Sequence, residues 1–136
     1  MLKKSMYLAL AGALVSLTGC ATAPSELRSA GPDHRASFVL NQGYQSAYRE
    51  ILARQRACEQ GSLVTAQGIV QGDLYTDTQS GTITTGLHGV WGVRTQTVIE
   101  IKAAGDGAAD VTVFAEAGVR KYEPAIRKWL SGVQEC

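Results

Sequence analysis

Apolar residues recur at helical spacing in two segments of the chain, and this pattern predicts two amphipathic helices. The first segment starts near Asn41 or Gly43 and stops before Gly61, a residue typical of helix ends. The second closes the chain and has Pro124 in its first turn, where a missing N–H is tolerated. The apolar stripes consist of Tyr44, Ala47, Tyr48, Ile51, Leu52 and Cys58, and of Ile126, Trp129, Leu130 and Val133.

Between these two segments the residues change to Thr, Val, Ile and Gly, and the helical period is lost. Apolar and polar positions alternate there instead, as they do in half-buried strands. The predicted strands lie around residues 69–76, 82–87, 98–102 and 111–114, with a further short strand at 38–40. Gly and Asp at 104–108 predict a hairpin turn between the last two, so we expect an antiparallel meander.

These elements predict an α+β fold, with two amphipathic helices packed on one face of a small antiparallel sheet of three to four strands. The chain has 136 residues, 45% of them hydrophobic, which allows a single globular domain. We assign this domain to residues 38–136. Residues 20–37 are mostly small or polar and include two prolines, so they predict a flexible tether.

The first 20 residues have the pattern of an export signal. Lys3 and Lys4 precede an uncharged, mostly apolar stretch that ends in Leu-Thr-Gly-Cys at 17–20. The stretch is too short for a transmembrane helix, which needs about 20 apolar residues. Its charge, its length and the terminal Cys motif together resemble the signal peptide of bacterial lipoproteins. An ordinary signal peptide that happens to contain a Cys is the alternative.

The resemblance implies cleavage of residues 1–19 and attachment of a diacylglyceryl group to the sulfur of Cys20. A third acyl chain, such as palmitate, would modify the new amino group. Two or three chains hold a protein stably on a membrane, since each buried methylene adds about 0.8 kcal/mol. Position 21 is Ala rather than Asp, which resembles the default sorting to the outer membrane. The expected location is therefore the periplasmic face of the outer membrane.

Cleavage also changes the charge of the protein. The full chain has a formal net charge of +1; removal of residues 1–19 takes away Lys3 and Lys4 but no acidic residue, leaving 117 residues at −1. Nucleic-acid binders commonly have a strongly basic surface. We therefore expect no nucleic-acid partner.

Lipidation of Cys20 would leave Cys58 and Cys136 as an even pair in an oxidising compartment. Each lies at or near the end of a predicted helix, so we predict a disulfide between them. Two separate buried thiols or a redox-active pair are the alternatives, although a Cys-x-x-Cys motif is missing. A disulfide would bring the helix C-termini together, which favours three meander strands over four between two roughly parallel helices.

The sequence predicts no catalytic residues, metal site or cofactor. His88 lies in Gly-Leu-His-Gly-Val-Trp-Gly at 86–92, which we interpret as a flexible strand end or loop, and no acidic or Cys residue stands at ligand spacing from it. Trp91 in the same segment is a candidate contact for a partner, unless it packs on the sheet as a core residue. His88 and Trp91 are therefore the possible contact residues.

These observations predict a lipid-anchored, non-enzymatic accessory or scaffold protein of the cell envelope, bound to the membrane through Cys20 and to an envelope protein through its sheet. The alternative is a binding module for an envelope ligand, either a glycolipid or a peptidoglycan fragment. A basic cluster in the last 17 residues either faces such an anionic glycolipid or is simply solvated. It consists of Arg120, Lys121, Arg127 and Lys128.

Overall fold

The computed structural model describes residues 22–136, which form a six-stranded antiparallel sheet and three α-helices. The helices are α1 (Pro24–Arg28), α2 (Tyr44–Glu59) and α3 (Tyr122–Leu130). The strands are β1 (Arg35–Leu40), β2 (Gly61–Ser62), β3 (Gln67–Tyr75), β4 (Ser80–Gly89), β5 (Gly92–Ala103) and β6 (Ala109–Ala115). Their order across the sheet is β1-β6-β5-β4-β3-β2.

Strands β3 to β6 form a meander of neighbouring hairpins, and each lies close to a strand expected from the alternation. Strand β1 is different, because it pairs with β6 at the far end of the chain. Helix α2 connects the two edges of the sheet, since it follows β1 at one edge and precedes β2 at the other.

Helices α2 and α3 cover one side of the sheet, which we call the front face, and the main hydrophobic core lies beneath them. Alternate residues of the central strands point to this face, as the period of two requires. The core side chains with no measurable exposure include Ile51 of α2, Ile126 of α3, and Ile83, Ile99, Ile101, Val111 and Val113 of the sheet. Each contributes about 1.5–3 kcal/mol through its burial.

Two glycines make room for an aromatic ring in this core. A Cβ atom at Gly72 would stand 2.5 Å from the hydroxyl of Tyr48, and one at Gly81 would stand 2.5 Å from its ring. Tyr48 therefore lies directly on the backbone of β3 and β4. Its burial raises the pKa of the phenol above the usual value, and the nearby carboxylate of Asp73 raises it further.

Helix α1 packs on the opposite side, which we call the back face. Leu27 is buried there against Val98 of β5 and Phe114 of β6. The guanidinium of Arg28 donates to the carboxylate of Glu100 at 2.6 Å. Helix α1 is thus attached to the sheet by one apolar side chain and one ion pair.

The tether expected over residues 20–37 is therefore wrong for the part that the structure describes. The backbone of Thr22 already contacts the sheet, because its carbonyl accepts a hydrogen bond of 2.9 Å from the N–H of Thr95. Pro24 opens α1, and residues 35–37 belong to β1. One leucine gives no periodicity in the sequence, yet it is enough to anchor a short helix where the sheet supplies the apolar partners.

The predicted fold class also needs correction. The structure has six strands instead of three to four, and a third helix covers part of the face that was expected to be open. The strand at 38–40 is longer than expected and extends the sheet next to β6. Strand β2 has only two residues, which is too short to show alternation.

The connection between the two long helices differs from the prediction as well. Five strands separate α2 and α3, an odd number but not three. Helix α3 ends at Leu130, and residues 131–136 return without helical structure towards α2, where Arg54 donates to the carbonyl of Gln134 at 3.2 Å. Cys136 thus reaches Cys58 through this segment, and the helix C-termini do not need to meet.

Candidate interaction surface

The hairpin between β4 and β5 ends in a two-residue turn. Gly89 pairs with Gly92, so only Val90 and Trp91 connect the strands. Gly92 has a φ of 108°, a conformation that glycine adopts without the steric cost of a Cβ atom. The turn projects both side chains into solvent, with 88% of Val90 and 91% of Trp91 exposed.

A second exposed apolar pair lies in the connection between β2 and β3. The N–H of Leu63 donates to the carbonyl of Ala66 at 2.7 Å, which closes this connection into a tight turn. Leu63 is 64% exposed and Val64 is fully exposed. The neighbouring turn is close, since a Cβ atom at Gly89 would stand 3.7 Å from the carbonyl oxygen of Thr65.

We call these four residues, Leu63, Val64, Val90 and Trp91, the apolar tip. Seven large hydrophobic side chains are exposed among the described residues; the apolar tip holds four of them, and Val93 lies two residues after Trp91. Single exposed apolar residues are ordinary on protein surfaces, whereas a cluster of them marks a site of interaction. The apolar tip is therefore a candidate contact site.

The two contact residues expected from the sequence lie in the same hairpin. His88 is exposed in β4 and pairs with Val93, so the segment at 86–92 is ordered strand and turn instead of a flexible loop. Trp91 does not pack on the sheet, so the alternative of a core tryptophan is wrong.

The part of the back face that α1 leaves open forms a second candidate surface. Helix α1 lies over β5 and β6, while β3, β4 and the start of β5 carry side chains on this face without a helix above them. We call this area the open back face; its side chains include Ile69, Gln71, Thr82, Thr84 and Val93. A groove with a volume of about 330 Å³ runs between this area and the start of α1, lined by Thr22, Pro24 and Thr95 on the α1 side.

Cys20 and residues 1–19 lie outside the described residues, so the structure does not bear on the signal peptide or the lipid. The structure does place Cys58 and Cys136 at disulfide-bonding distance, with their Cα atoms 5.5 Å apart. This bond would connect the end of α2 to the end of the chain.

The basic cluster near the C-terminus is divided in the structure. Arg127 donates to the carboxylate of Glu123 at 2.9 Å and to the carbonyl of Val39 at 3.1 Å, and its guanidinium lies 5.4 Å from the centre of the Phe38 ring. It therefore holds α3 against β1. The side chains of Arg120 and Lys121 precede α3 and are exposed.

The described residues contain no group of three or more His, Cys, Asp or Glu side chains placed to hold a metal ion. None of the helices in that part of the chain has the length and apolar character needed to cross a bilayer.

Comparisons with known proteins add little. No protein-family model matches the chain, and no curated protein matches it. One solved structure that it resembles is that of a conserved protein from Geobacillus kaustophilus, with 11% identity and a TM-score of 0.36 over 71% of this chain and 86% of the other. A likeness this weak carries no argument about fold or function.

Sequence reasoning identified Trp91 but missed the other three residues of the apolar tip. Leu63 and Val64 stand between two glycines at 61 and 68, where a turn was a reasonable expectation. An apolar pair within a turn could have indicated an exposed contact site, because such residues rarely find a core partner there. Val90, beside Trp91, gave the same indication.

Proposed function

We propose that this chain is a lipid-anchored, non-enzymatic accessory or scaffold protein at the periplasmic face of the outer membrane, and that it contacts an envelope protein through the open back face. The observation that carries the proposal is the area on β3, β4 and the start of β5 that α1 leaves uncovered, where uncharged side chains occupy the centre and Asp73 lies at one end. The resemblance of residues 1–20 to lipoprotein signals supports the anchor.

The chemistry of the open back face favours a protein as its partner. Its central side chains are threonines, Gln71, Ile69 and Val93, which combine hydroxyl and amide groups with aliphatic surface. The centre of a protein–protein interface is depleted of charged residues, while its rim is polar. Here the ionisable residues lie at the two ends of the area, with Asp73 and the ion-paired Glu100 on either side of Thr82 and His88 at the end of β4.

The partner can be tested by site-specific photo-crosslinking of the full-length chain in its own cells. A photoreactive residue at Thr84 faces the open back face, and one at the exposed Lys128 of α3 serves as the matched control on the other layer. We expect one defined envelope protein to be crosslinked at Thr84 and not at Lys128. Equal crosslinking at both positions would contradict the proposal.

A pair of charge substitutions makes this test specific. Ile69→Asp places a carboxylate in the open back face and should abolish the Thr84 adduct. Val39→Asp places it on the exposed side of β1, beyond α1, and should leave the adduct intact. The anchor is checked separately by the mass of the N-terminal peptide, which should carry acyl chains on Cys20 and lack residues 1–19.

The groove beside α1 favours one alternative, a binding module for an envelope glycolipid or peptidoglycan fragment. Its volume of about 330 Å³ lies at the lower end of the range for small-molecule sites. Threonines of β4, of β5 and of the segment before α1 line it, and their hydroxyls are suited to the hydroxyl groups of a sugar. A glycan adduct at Thr84, in place of a protein adduct, would replace the scaffold with this function.

A further inference from the structure

We propose that the apolar tip inserts into the interfacial region of the membrane that carries the lipid anchor, so that the domain stands on the bilayer with the β4–β5 hairpin pointing into it. This inference rests on the proposed lipid anchor at Cys20. It adds a second membrane contact, made by protein side chains, and an orientation for the domain.

The shape of the apolar tip suits a lipid surface. Two adjacent turns present Leu63, Val64, Val90 and Trp91 at one end of the sheet, each of them at least 64% exposed. Gln67, which follows the first turn, pairs with His88 just before the second turn, and Gly89 pairs with Gly92 across that second turn. Both turns therefore lie at the same end of the sheet and project in the same direction. Tryptophan is enriched at membrane interfaces, because its amphipathic ring fits the headgroup level.

The distribution of charge gives the two ends of the sheet different affinities for a membrane. The segments that form the apolar tip, residues 61–68 and 87–93, contain no acidic residue. The two turns at the opposite end, residues 76–79 and 104–108, contain Asp77 and Asp106. Insertion of these two turns alone buries no carboxylate, because Glu59 lies outside them at the end of α2 and Glu116 is ion-paired with Arg94. Insertion of the opposite turns would bury two carboxylates, at a large desolvation cost.

Basic residues add to this difference. Arg120 and Lys121 are exposed just after β6, which ends opposite Thr97 in the half of the sheet nearer the tip. A bilayer surface with anionic lipids attracts such side chains when they come within about 8–10 Å of it.

The described N-terminal segment begins in the half of the sheet nearer the apolar tip. Thr22 is hydrogen-bonded to Thr95, and Leu27 and Arg28 contact Val98 and Glu100 further along β5. Traced backwards, the chain therefore runs towards the start of β5 and the apolar tip. Thr95 lies about 10 Å along the strand from Gly92. Cys20 is two residues before Thr22, which bounds its distance from that residue to about 7 Å.

A short connection of this kind leaves the domain little freedom to move away from the bilayer. A lipid anchor and an adjacent apolar contact act together, since the first raises the effective concentration of the second at the membrane.

The test uses the full-length lipidated protein reconstituted into vesicles of phosphatidylethanolamine with a minority of phosphatidylglycerol. The chain has two tryptophans, so a Trp129→Phe variant leaves Trp91 as the only tryptophan reporter. We expect the fluorescence of Trp91 to shift to shorter wavelength, to be quenched by brominated acyl chains and to be protected from aqueous iodide.

The matched control moves the reporter to the opposite end of the sheet. Tyr75 is half exposed at the end of β3, so Tyr75→Trp combined with Trp91→Phe and Trp129→Phe reports on that end. This tryptophan should remain accessible to iodide and unaffected by bromolipids. Equal quenching of both reporters, or none at Trp91, would overturn the proposal.

The same samples also distinguish membrane insertion from self-association of the chain and from a missing lipid anchor. If Trp91 is already protected without vesicles and the protection grows with protein concentration, the tip binds a second copy of the chain and the membrane inference is wrong. If the mass of the N-terminal peptide shows Cys20 unmodified, the anchor fails, and vesicle binding of that unlipidated protein still tests the tip. Trp91→Ser should then weaken its vesicle partition about tenfold, and unchanged partition would overturn the proposal.

Discussion

The two faces of the sheet differ in how completely they are covered, although the same strands supply both. On the front face, α2 and α3 bury a continuous core that includes side chains from five of the six strands. On the back face, α1 buries a cluster of three residues, Leu27, Val98 and Phe114, and the area over β3 and β4 stays open. Stability is therefore concentrated on the front face, and surface for partners on the back face.

This division follows from the length of the covering helices. Helix α2 has 16 residues and spans the sheet, while α1 has five. An isolated helix of five residues is unstable in water, so α1 forms only because Leu27 is packed and Arg28 is paired. Substitutions on the two faces should accordingly differ in how much they lower the free energy of unfolding and in how far the loss of structure spreads.

The largest effect is expected from the link between the end of α2 and the end of the chain. The double variant Cys58→Ser with Cys136→Ser should lower the free energy of unfolding by up to about 4 kcal/mol, because a closed loop with a sequence separation of 78 residues is opened. Urea unfolding of both proteins measures the difference. The reduced wild type is the control and should match the variant; a wild type that reductant leaves unchanged would argue against a disulfide.

The next effect tests the front core itself. Ile99→Ala should cost about 3–4 kcal/mol, since Ile99 is completely buried and surrounded by rigid elements that cannot close the cavity. Thr84→Ala, on the open back face of the neighbouring strand, should change the free energy of unfolding by less than about 0.5 kcal/mol. Similar losses in both variants would show that the two faces are not as different as their burial indicates.

A smaller and local effect is expected on the back face. Leu27→Ala should cost about 2 kcal/mol at most, because α1 can detach and expose only a small apolar area. Hydrogen exchange should accelerate at the N–H of Thr95, whose acceptor is Thr22, while the amides of β6 that pair with β1 keep their protection. Loss of protection throughout the sheet would mean that α1 belongs to the main cooperative unit.

The smallest effect depends on pH and concerns Tyr48 on the front face. Its pKa is raised in the folded protein, by burial first and by Asp73 second, while the unfolded chain titrates near pH 10. The neutral phenol therefore contributes to the free energy of unfolding below that pH, and this contribution is lost as the pH rises through the folded pKa. Tyr48→Phe should therefore lose less stability than the wild type between about pH 9 and 11, measured by urea unfolding. Parallel losses would contradict this.

The sequence was informative wherever an element shows its own periodicity. The stripes of α2 and α3 and the alternation of β3 to β6 each repeat several times within one segment. Helix α1 has one buried residue, Leu27, so its segment resembles any polar linker with prolines. Strand β1 was expected as a short strand, but its pairing with β6 depends on the whole chain and leaves no mark in its own residues.

The candidate surfaces were only partly predictable for a similar reason. Trp91 attracts attention as a tryptophan among glycines, but its exposure depends on the pairing of Gly89 with Gly92, which makes the turn too short to fold back on the sheet. Leu63 and Val64 form a cluster only together with the neighbouring turn, and this proximity cannot be read from their own segment. The open back face depends on where α1 ends, and that position was hidden in the expected tether.

The pairing of β1 with β6 also has a consequence for how the chain folds. These strands lie near opposite ends of the described residues, and the bond between Cys58 and Cys136 closes a similarly long loop. Contacts between distant residues slow folding, because a large loop must close before they form. The meander of β3 to β6 can assemble from local hairpins, whereas β1 can join the sheet only after almost the whole chain has been synthesised. A chain truncated before Ala109 would consequently leave β1 without its partner, and we expect such a fragment to stay open to proteases and chaperones.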